Sequence, residues 1–533
     1  MTLFRPGIHG KEALVAERKV VIIGAGIGGL AAALLLASRG VAVTVAEKEA
    51  APGGKVRRVT VNGAAIDGGP TVFTMRGVFD DLFSAAGAKL EDYVRITPAE
   101  NIARHWWGSG DYLDLPADAA AREAAIEAFA GPAAADAYRA FAAEARRIHD
   151  ILDQPFMRAS RVYPPGLMWR IGLSRIGDLL AIRPYESLWK VLGEHFHDQR
   201  LRQLFARYST YCGSSPMHAP ATLMLIAEVE ARGTWLLEGG LSALAAAMER
   251  LASELGVVFH YGAPVSEVLG ERRANGVRLA NGQLIEADAV IVNADPAALA
   301  AGRFGPLGRR AASSFAPRYR SLSAFTWLME ARVSGAPLVR HNIFFSPDYP
   351  REFADLAADR VPQTPSVYVC ALDRSATGES SAEGQPERLQ IIINAPANGD
   401  THTYLPEEID RCTRLMLERL QASGLTLTPT APPYVATPGT FDHLFPSTGG
   451  ALYGRASHGW AASFLRQSAR TKIRGLYCAG GSTHPGSGVP MAALSGRLAA
   501  MNVLKDLALT AQSAPAVTPG GMSTRLPMEA TSA

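Results

Sequence analysis

The sequence predicts an α/β protein: a Rossmann-like nucleotide-binding sheet carrying a second, discontinuous domain. Three observations carry this. A strand–glycine turn–helix pattern opens at residue 20, a glycine-rich loop and helix return near residue 479, and a long stretch of mixed composition lies between them. The chain has 533 residues, 48% hydrophobic and 19% charged, an ordinary globular composition that at this length calls for more than one domain. A formal net charge of +3 is too small for a nucleic-acid-binding surface, so no nucleic-acid partner is expected. Cys212, Cys370, Cys412 and Cys478 lie far apart with no C-x-x-C pair. They form neither a disulfide framework nor a zinc site and fit a reducing cytoplasm. No metal is expected.

The first unit is "KVVIIGAGIGGLAAALLLASRGVAVTVAEKE". Val20 to Ile23 is a β-branched run suited to a buried parallel strand. Gly24, Gly26 and Gly29 complete G-x-G-x-x-G, with Gly28 beside them. Gly24 permits the tight turn, Gly26 lets the backbone approach a pyrophosphate, and Gly29 lets the helix pack on the strand. The helix N-terminus then faces the phosphates. Val41 to Ala46 reads as the second strand, and Glu47 at its end is placed to accept hydrogen bonds from ribose hydroxyls. Residues 20–38 are apolar enough to resemble a membrane anchor, but four glycines in the first half and no cleavage motif favour strand, turn and buried helix.

Two further glycine-rich turns follow Glu47: Gly53-Gly54-Lys55, then Asp67 with Gly69, Pro70 and Thr71. A simple NAD fold has no use for them; they let backbone pass beside a second, larger ligand portion. No second complete G-x-G-x-x-G unit occurs, so a separate NAD(P)H site is not expected. Near the C-terminus, Leu476 to Ala479 reads as a strand, followed by a loop with Gly480, Gly481 and Gly488 and a helix from about Val489 and Pro490.

This arrangement resembles the FAD-binding amine-oxidase and carotenoid-desaturase superfamily, whose fold is shared with GDP-dissociation inhibitors. The resemblance implies FAD. It places the helix at Val489 against the flavin ring, where its N-terminal dipole stabilises the reduced anion, and brings backbone near Val265 to the adenine. The blocks "FARYSTYCGSSPMHAPATLMLI", "GTWLLEGGLSALAAAM", "EADAVIVNADP" and "HNIFFSPDY" are similar to those of bacterial phytoene desaturases. "FDHLFPSTGGALYGRASHGWAASF" and "AGGSTHPGSGVPMAALSGR" are similar to the 1-hydroxycarotenoid 3,4-desaturase branch, and the likeness runs over roughly residues 18–507. Lys55 stands where the family usually has arginine, keeping the charge without the bidentate geometry.

The resemblance implies desaturation of an acyclic carotenoid: a hydride passes to flavin N5, the polyene delocalises the cation, and a base or water takes the neighbouring proton. The terminal electron acceptor is a quinone or O2. His484 is the candidate base from its place in the flavin loop, against a loop-bracing role; His458 and Trp460 are candidates to line the substrate pocket. Asp295 reads as a helix cap. The expected FAD domain takes 19–110, 225–300 and 440–512, and the substrate domain 111–224 and 301–439; residues 1–18 are an extension and 513–533 a disordered tail. Residues 155–192 mix arginines with Met168, Trp169 and Trp189. That composition suits the headgroup layer of an inner or photosynthetic membrane, with peripheral attachment from the cytoplasm. The alternatives are a phytoene desaturase, a flavin amine oxidase, and a non-catalytic isoprenoid-binding protein of the same fold.

Overall fold

The computed structural model describes residues 18–160, 163–171, 176–380 and 384–513. Its first 29 described residues form strand β1 (Lys19–Ile23), helix α1 (Ile27–Ala37) and strand β2 (Ala42–Ala46). β1 lies at the centre of a five-stranded parallel sheet in the order 258–260, β2, β1, 289–292, 476–478. Such a strand is buried on both faces, which is why it reads as a continuous apolar run. Val20 and Ile22 face a helical layer of α1, Leu241–Glu254 and the final helix Val489–Ser513. Val21 and Ile23 face an antiparallel meander, 265–269, 276–279 and 284–286. The last strand, Leu476–Cys478, pairs with 289–292 and so returns the C-terminus to the first strand's sheet.

The second unit is an eight-stranded, mostly antiparallel sheet. From one edge it runs 425–429, 323–335, 387–395, 367–371, 341–344, 101–108 and 111–116, with 434–436 also pairing 323–335. Helix Pro406–Ala422 covers one face through Cys412, Met416 and Leu420. Helices Pro132–Leu152, Leu188–His195 and Gln199–Ala206 pack against Ile102, Leu113, Leu115, Ile343 and Phe345.

This sheet moves the domain boundaries expected at 110, 225 and 440. Strand Asn101–Gly108 pairs with 341–344, not with the nucleotide-binding sheet. Leu225, Ile226 and Ala227 pack with the helices of the second unit, and Phe441 packs on Ala324 and Ala436. The first crossing therefore comes after strand Ile96–Pro98, which still pairs with Thr234–Leu237. Strand partners here are separated by hundreds of residues, and local composition carries no sign of which sheet a strand joins.

Candidate active site

One cavity of about 1510 Å³ runs from the β1–α1 turn to Tyr349 in the second unit, past the glycine turns at 53–54 and 69–71 and the 480–490 loop. The two chain ends meet on its wall. A Cβ on Gly28 would stand 2.8 Å from the Gly480 nitrogen and 2.6 Å from Asn293 Oδ1. A Cβ on Gly29 would stand 2.1 Å from the Gly24 carbonyl oxygen, so Gly29 lies in the helix–strand contact and not on the cavity. Gly24 itself has a φ of 99°, the left-handed turn that glycine adopts without strain.

The residues present fit FAD. Helix α1 begins at Gly26 with no side-chain cap and no acidic residue in its first turn, and Gly26, Ile27 and Gly28 line the cavity. Uncapped N–H groups at a helix start are an anion site, here for a pyrophosphate. Glu47, 5% exposed, is fixed by Ala25 N, which donates to Oε2 at 2.6 Å, and by Glu49 N, which donates to Oε1 at 2.9 Å. Each oxygen keeps a lone pair for a ribose hydroxyl. Val265 lines the same end. At the other end, a Cβ on Gly481 would meet nothing nearer than 4.0 Å and one on Gly488 nothing nearer than 3.9 Å. Both open onto the cavity beside Val489 and Pro490, leaving backbone bare for a flat ring. Gly54, Lys55, Gly69, Pro70 and Thr71 also line the cavity. Lys55 Nζ donates to the Leu452 carbonyl at 2.5 Å; burial lowers its pKa, and the charge of Asp295 acts against that.

Three sequence candidates sit elsewhere. His484 Nε2 donates to the carbonyls of Phe156 and Ala159 at 3.0 and 2.9 Å. Burial holds its pKa at about 4, and it is not among the cavity-lining residues. Its ring is occupied in bracing the 156–159 segment against the glycine loop, so it is not placed to take a proton from substrate. His458 also lies off the cavity: its Nε2 accepts from Ser215 N at 3.0 Å, and burial beside His218 lowers its pKa to about 4. Trp460 is 44% exposed and meets the Tyr185 ring at a tilt of 57° at the surface. Asp295 caps helix Pro296–Ala300, accepting from Ala297 N at 2.9 Å, and also accepts from Ser482 Oγ at 2.5 Å.

Four features escape a sequence reading. Asn293 wedges between the two chain ends and donates to the Gly24 carbonyl at 3.2 Å. Tyr368 joins Thr71 at 2.5 Å and His341 at 2.7 Å. Arg207, Tyr211 and Glu230 place charge in the cavity wall. Glu352 is buried behind Ser366 and Asn394, both of which line the cavity. The only local signals are charges set in apolar runs, as in "LMLIAEVEA".

Glu352 gives a pH prediction. Burial raises its pKa from 4.5 to about 7, against the hydrogen bonds from Ser366 and Asn394. Between these values the folded state holds a proton the unfolded state has released, so stability falls as pH rises from 4.5 through 7 and is flat above. The loss amounts to about 3 kcal/mol. Glu352→Gln should match the parent near pH 5 and exceed it by about 2–3 kcal/mol at pH 8. Denaturant unfolding across this range checks it; parallel profiles would refute the assignment.

The fold and the cavity define a flavin-dependent oxidoreductase. A sequence profile of the flavin containing amine oxidoreductase family matches residues 27–504. Among solved structures, an oxidoreductase from Methanosarcina mazei is similar with a TM-score of 0.54 at 18% identity, covering 91% of this chain and 100% of that one. Putrescine oxidase is similar with a TM-score of 0.55 at 14% identity, covering 92% and 99%. At these identities the likeness speaks for the fold. Closer in sequence are hydroxyneurosporene desaturases from Rubrivivax gelatinosus, 49% identical over 95% of this chain and 97% of that protein, and from Cereibacter sphaeroides, 45% identical over 92% and 98%. An all-trans-zeta-carotene desaturase from Myxococcus xanthus is 33% identical over 89% and 90%. The chain belongs to the flavin containing amine oxidoreductase family and, within it, to the FAD-dependent carotenoid desaturases.

Proposed function

We propose that the protein introduces the 3,4 double bond into an acyclic carotenoid bearing a 1-hydroxy or 1-methoxy group. The observation that carries this is the near-full-length identity with hydroxyneurosporene desaturases, 49% with one of them. FAD, when bound, supplies the two-electron acceptor for the hydride leaving the CH–CH pair. The chain's own residues position the polyene and keep water out. Ile226, Val229, Ile343, Phe345, Val367 and Ile392 give the cavity an apolar wall beyond the glycine turns, which excludes water from a cationic polyene. The proton is left to water or to a group other than His484, and a quinone or O2 reoxidises the cofactor. Feeding 1-hydroxyneurosporene, neurosporene and phytoene to cells expressing the protein tests the proposal. A 3,4-desaturated hydroxycarotenoid is expected; desaturation of phytoene instead would make it a phytoene desaturase.

The substrate dissolves only in lipid, so the protein should take it from a membrane surface on the cytoplasmic side. Among the described residues, no helix is long and apolar enough to cross a membrane. Instead Trp169, Tyr185, Trp460 and Leu465 are 79%, 73%, 44% and 60% exposed. Trp460 connects Tyr185 to Phe464, and Phe464 meets Phe156. Aromatic side chains on a surface beside arginine suit the headgroup layer. Arg161, Arg175, Ile171, Leu179 and Leu180 of this stretch lie outside the residues whose side chains are described. Trp169→Ser with Tyr185→Ser and Trp460→Ser should lower sedimentation with anionic vesicles by about tenfold or more, at unchanged flavin content. Undiminished sedimentation would remove this surface from the proposal.

A further inference from the structure

Part of the cavity wall is a sheet face, and a buried carboxyl stands directly behind it. Gln390, Ile392 and Asn394 of strand 387–395 all line the cavity, with Tyr368 paired to Ile392 and Ala324 to Asn394. Both segments expected to hold the flavin ring are tied to this face. Gln390 Nε2 donates to the Gly69 carbonyl at 2.9 Å, and the Tyr368 hydroxyl meets Thr71 Oγ1 at 2.5 Å. Toward the Asn394 end, Leu452 N donates to the Leu322 carbonyl at 3.2 Å and Ser321 N to the Gly454 carbonyl at 2.8 Å. A Cβ on Gly454 would stand 2.7 Å from Ser482 Cβ in the 480–490 loop. The four residues from Gln390 to Asn394 span about 13 Å, so Ile392 and Asn394 floor the space between the turn at 69–71 and that loop.

Glu352 is 1% exposed. Its Oε1 accepts from Asn394 Nδ2 at 3.2 Å, and its Oε2 accepts from Ser366 N at 3.1 Å and Ser366 Oγ at 2.6 Å. Ser366 Oγ in turn accepts from Ser346 N at 3.0 Å, which leaves it one free lone pair, and Ser366 lines the cavity with Asn394. No neighbouring charge offsets the burial of Glu352. Among the described residues the titratable group beside it is Tyr349 of its own helix, which also feels Arg207. Asp355 on the same helix pairs with Arg360 at 2.8 Å and Arg351 at 3.4 Å. Glutamine would fill the place of Glu352 at less cost above pH 7, so a carboxyl kept there, one hydroxyl away from an oily cavity, marks a working group.

We propose that Ser366 takes the proton the polyene loses and passes its own hydroxyl proton to Glu352. The assignment rests on the desaturation proposed above and names the acceptor that reading leaves open. A hydride leaves one carbon with both electrons of its C–H bond for the flavin. The neighbouring C–H bond breaks, its electron pair becomes the new π bond, and its proton goes to the free lone pair of Ser366 Oγ. The Ser366 hydroxyl proton moves along the 2.6 Å bond to Glu352 Oε2, and the carboxylate becomes a carboxylic acid. The proton returns through the same hydroxyl to water once product has left. Ser366 is then the catalytic group, and Glu352 acts through it. Burial places the pKa of Glu352 at about 7, where a general base is both available and strong enough to accept.

The test measures kcat and KM for 1-hydroxyneurosporene in detergent micelles with the FAD-loaded enzyme, across about pH 5.5 to 8.5. The carboxylate is the accepting form, so the parent rate should rise about tenfold from pH 6 to a plateau above pH 8. Glu352→Gln should lower kcat by about 100-fold or more at little change in KM, and should abolish the pH dependence. Its folding is not at risk, since it is expected to be more stable than the parent at pH 8. Ser366→Ala should slow turnover by about tenfold or more, and Ser366→Thr, which keeps the hydroxyl, should restore most of the rate. One readout needs no turnover: the infrared band of the carboxylic acid, taken as parent minus Glu352→Gln, should fade as pH rises through about 7. A Glu352→Gln enzyme with the parental kcat and pH profile overturns the relay and leaves the desaturase proposal standing, as does a band that does not titrate between pH 6 and 8. A Ser366→Thr enzyme no faster than Ser366→Ala removes Ser366 from the path. A parent enzyme that desaturates no carotenoid at any pH overturns the desaturase proposal, and the relay with it.

Discussion

Gly28→Val should yield a colourless protein. The Cβ alone would stand 2.8 Å from the Gly480 nitrogen, 2.9 Å from the Gly480 Cα and 2.6 Å from Asn293 Oδ1. Two of these are backbone atoms of the returning chain end, so no side chain can rotate away, and the two valine methyls add to the conflict. Overpacking of this kind costs about 1–3 kcal/mol and at backbone contacts more. The strain falls where α1 begins and where the loop at 480 leaves its strand, the segments that would hold the pyrophosphate and the flavin ring of FAD. FAD affinity is therefore expected to drop by about 100-fold or more, with a lower melting temperature that added FAD only partly restores. Gly77→Ala is the control: a Cβ there meets nothing within 4 Å, and flavin content should not change. Flavin absorbance per mole of purified protein reads both. A Gly28→Val protein that purifies fully loaded would mean the chain ends can separate without harm to the site.

The nucleotide-binding half was legible because its signals are local. β1, α1 and β2 lie within 28 residues, and each has its own periodicity and its own stop. The returning loop was legible because glycines cluster only where backbone must come close. Asp295 as a helix cap was also a local matter, set by the residues that follow it. What could not be read is the set of partners chosen across the fold. His484 meets carbonyls 328 and 325 residues away, and nothing around "STHPG" announces that. Trp460 and His458 look like pocket residues beside a glycine-rich stretch, yet the chain turns them toward Tyr185 and Ser215. Arg207 and Glu230 stand on separate helical segments, and each alone reads as an ordinary surface charge. Only the packing of those segments shows both to be buried. Charge inside an apolar element is the one trace such a pair leaves in sequence, because burial of a charge is tolerated only with a partner.

Asp67 shows how the second glycine turn is held, and its loss should be nearly as damaging as Gly28→Val. Helix Leu241–Glu254 begins at Gly240, which has a φ of 79° and supplies no side-chain cap. Asp67, at the end of strand 64–67, caps it from a distance: Oδ1 accepts from Ser242 Oγ at 2.6 Å and Oδ2 from Ser242 N at 3.1 Å. The carboxylate is 7% exposed, and Arg58 approaches it at 3.7 Å. The helix it caps packs Leu244, Met248 and Leu251 into the same core as α1. The residues that follow Asp67 are Gly68, Gly69, Pro70 and Thr71, three of them expected to face the flavin. Asp67→Ala removes two charge-assisted hydrogen bonds and a favourable charge at a helix start, together about 3 kcal/mol. The turn then loses its anchor, and FAD affinity should fall by about tenfold or more. Ser242→Ala keeps the backbone bond and should cost only about 1 kcal/mol. Unfolding in denaturant and titration of apoprotein with FAD measure the two effects separately. If Asp67→Ala lost stability but bound FAD with parental affinity, Asp67 would be a cap for the helix alone, with no part in holding the turn against the cofactor.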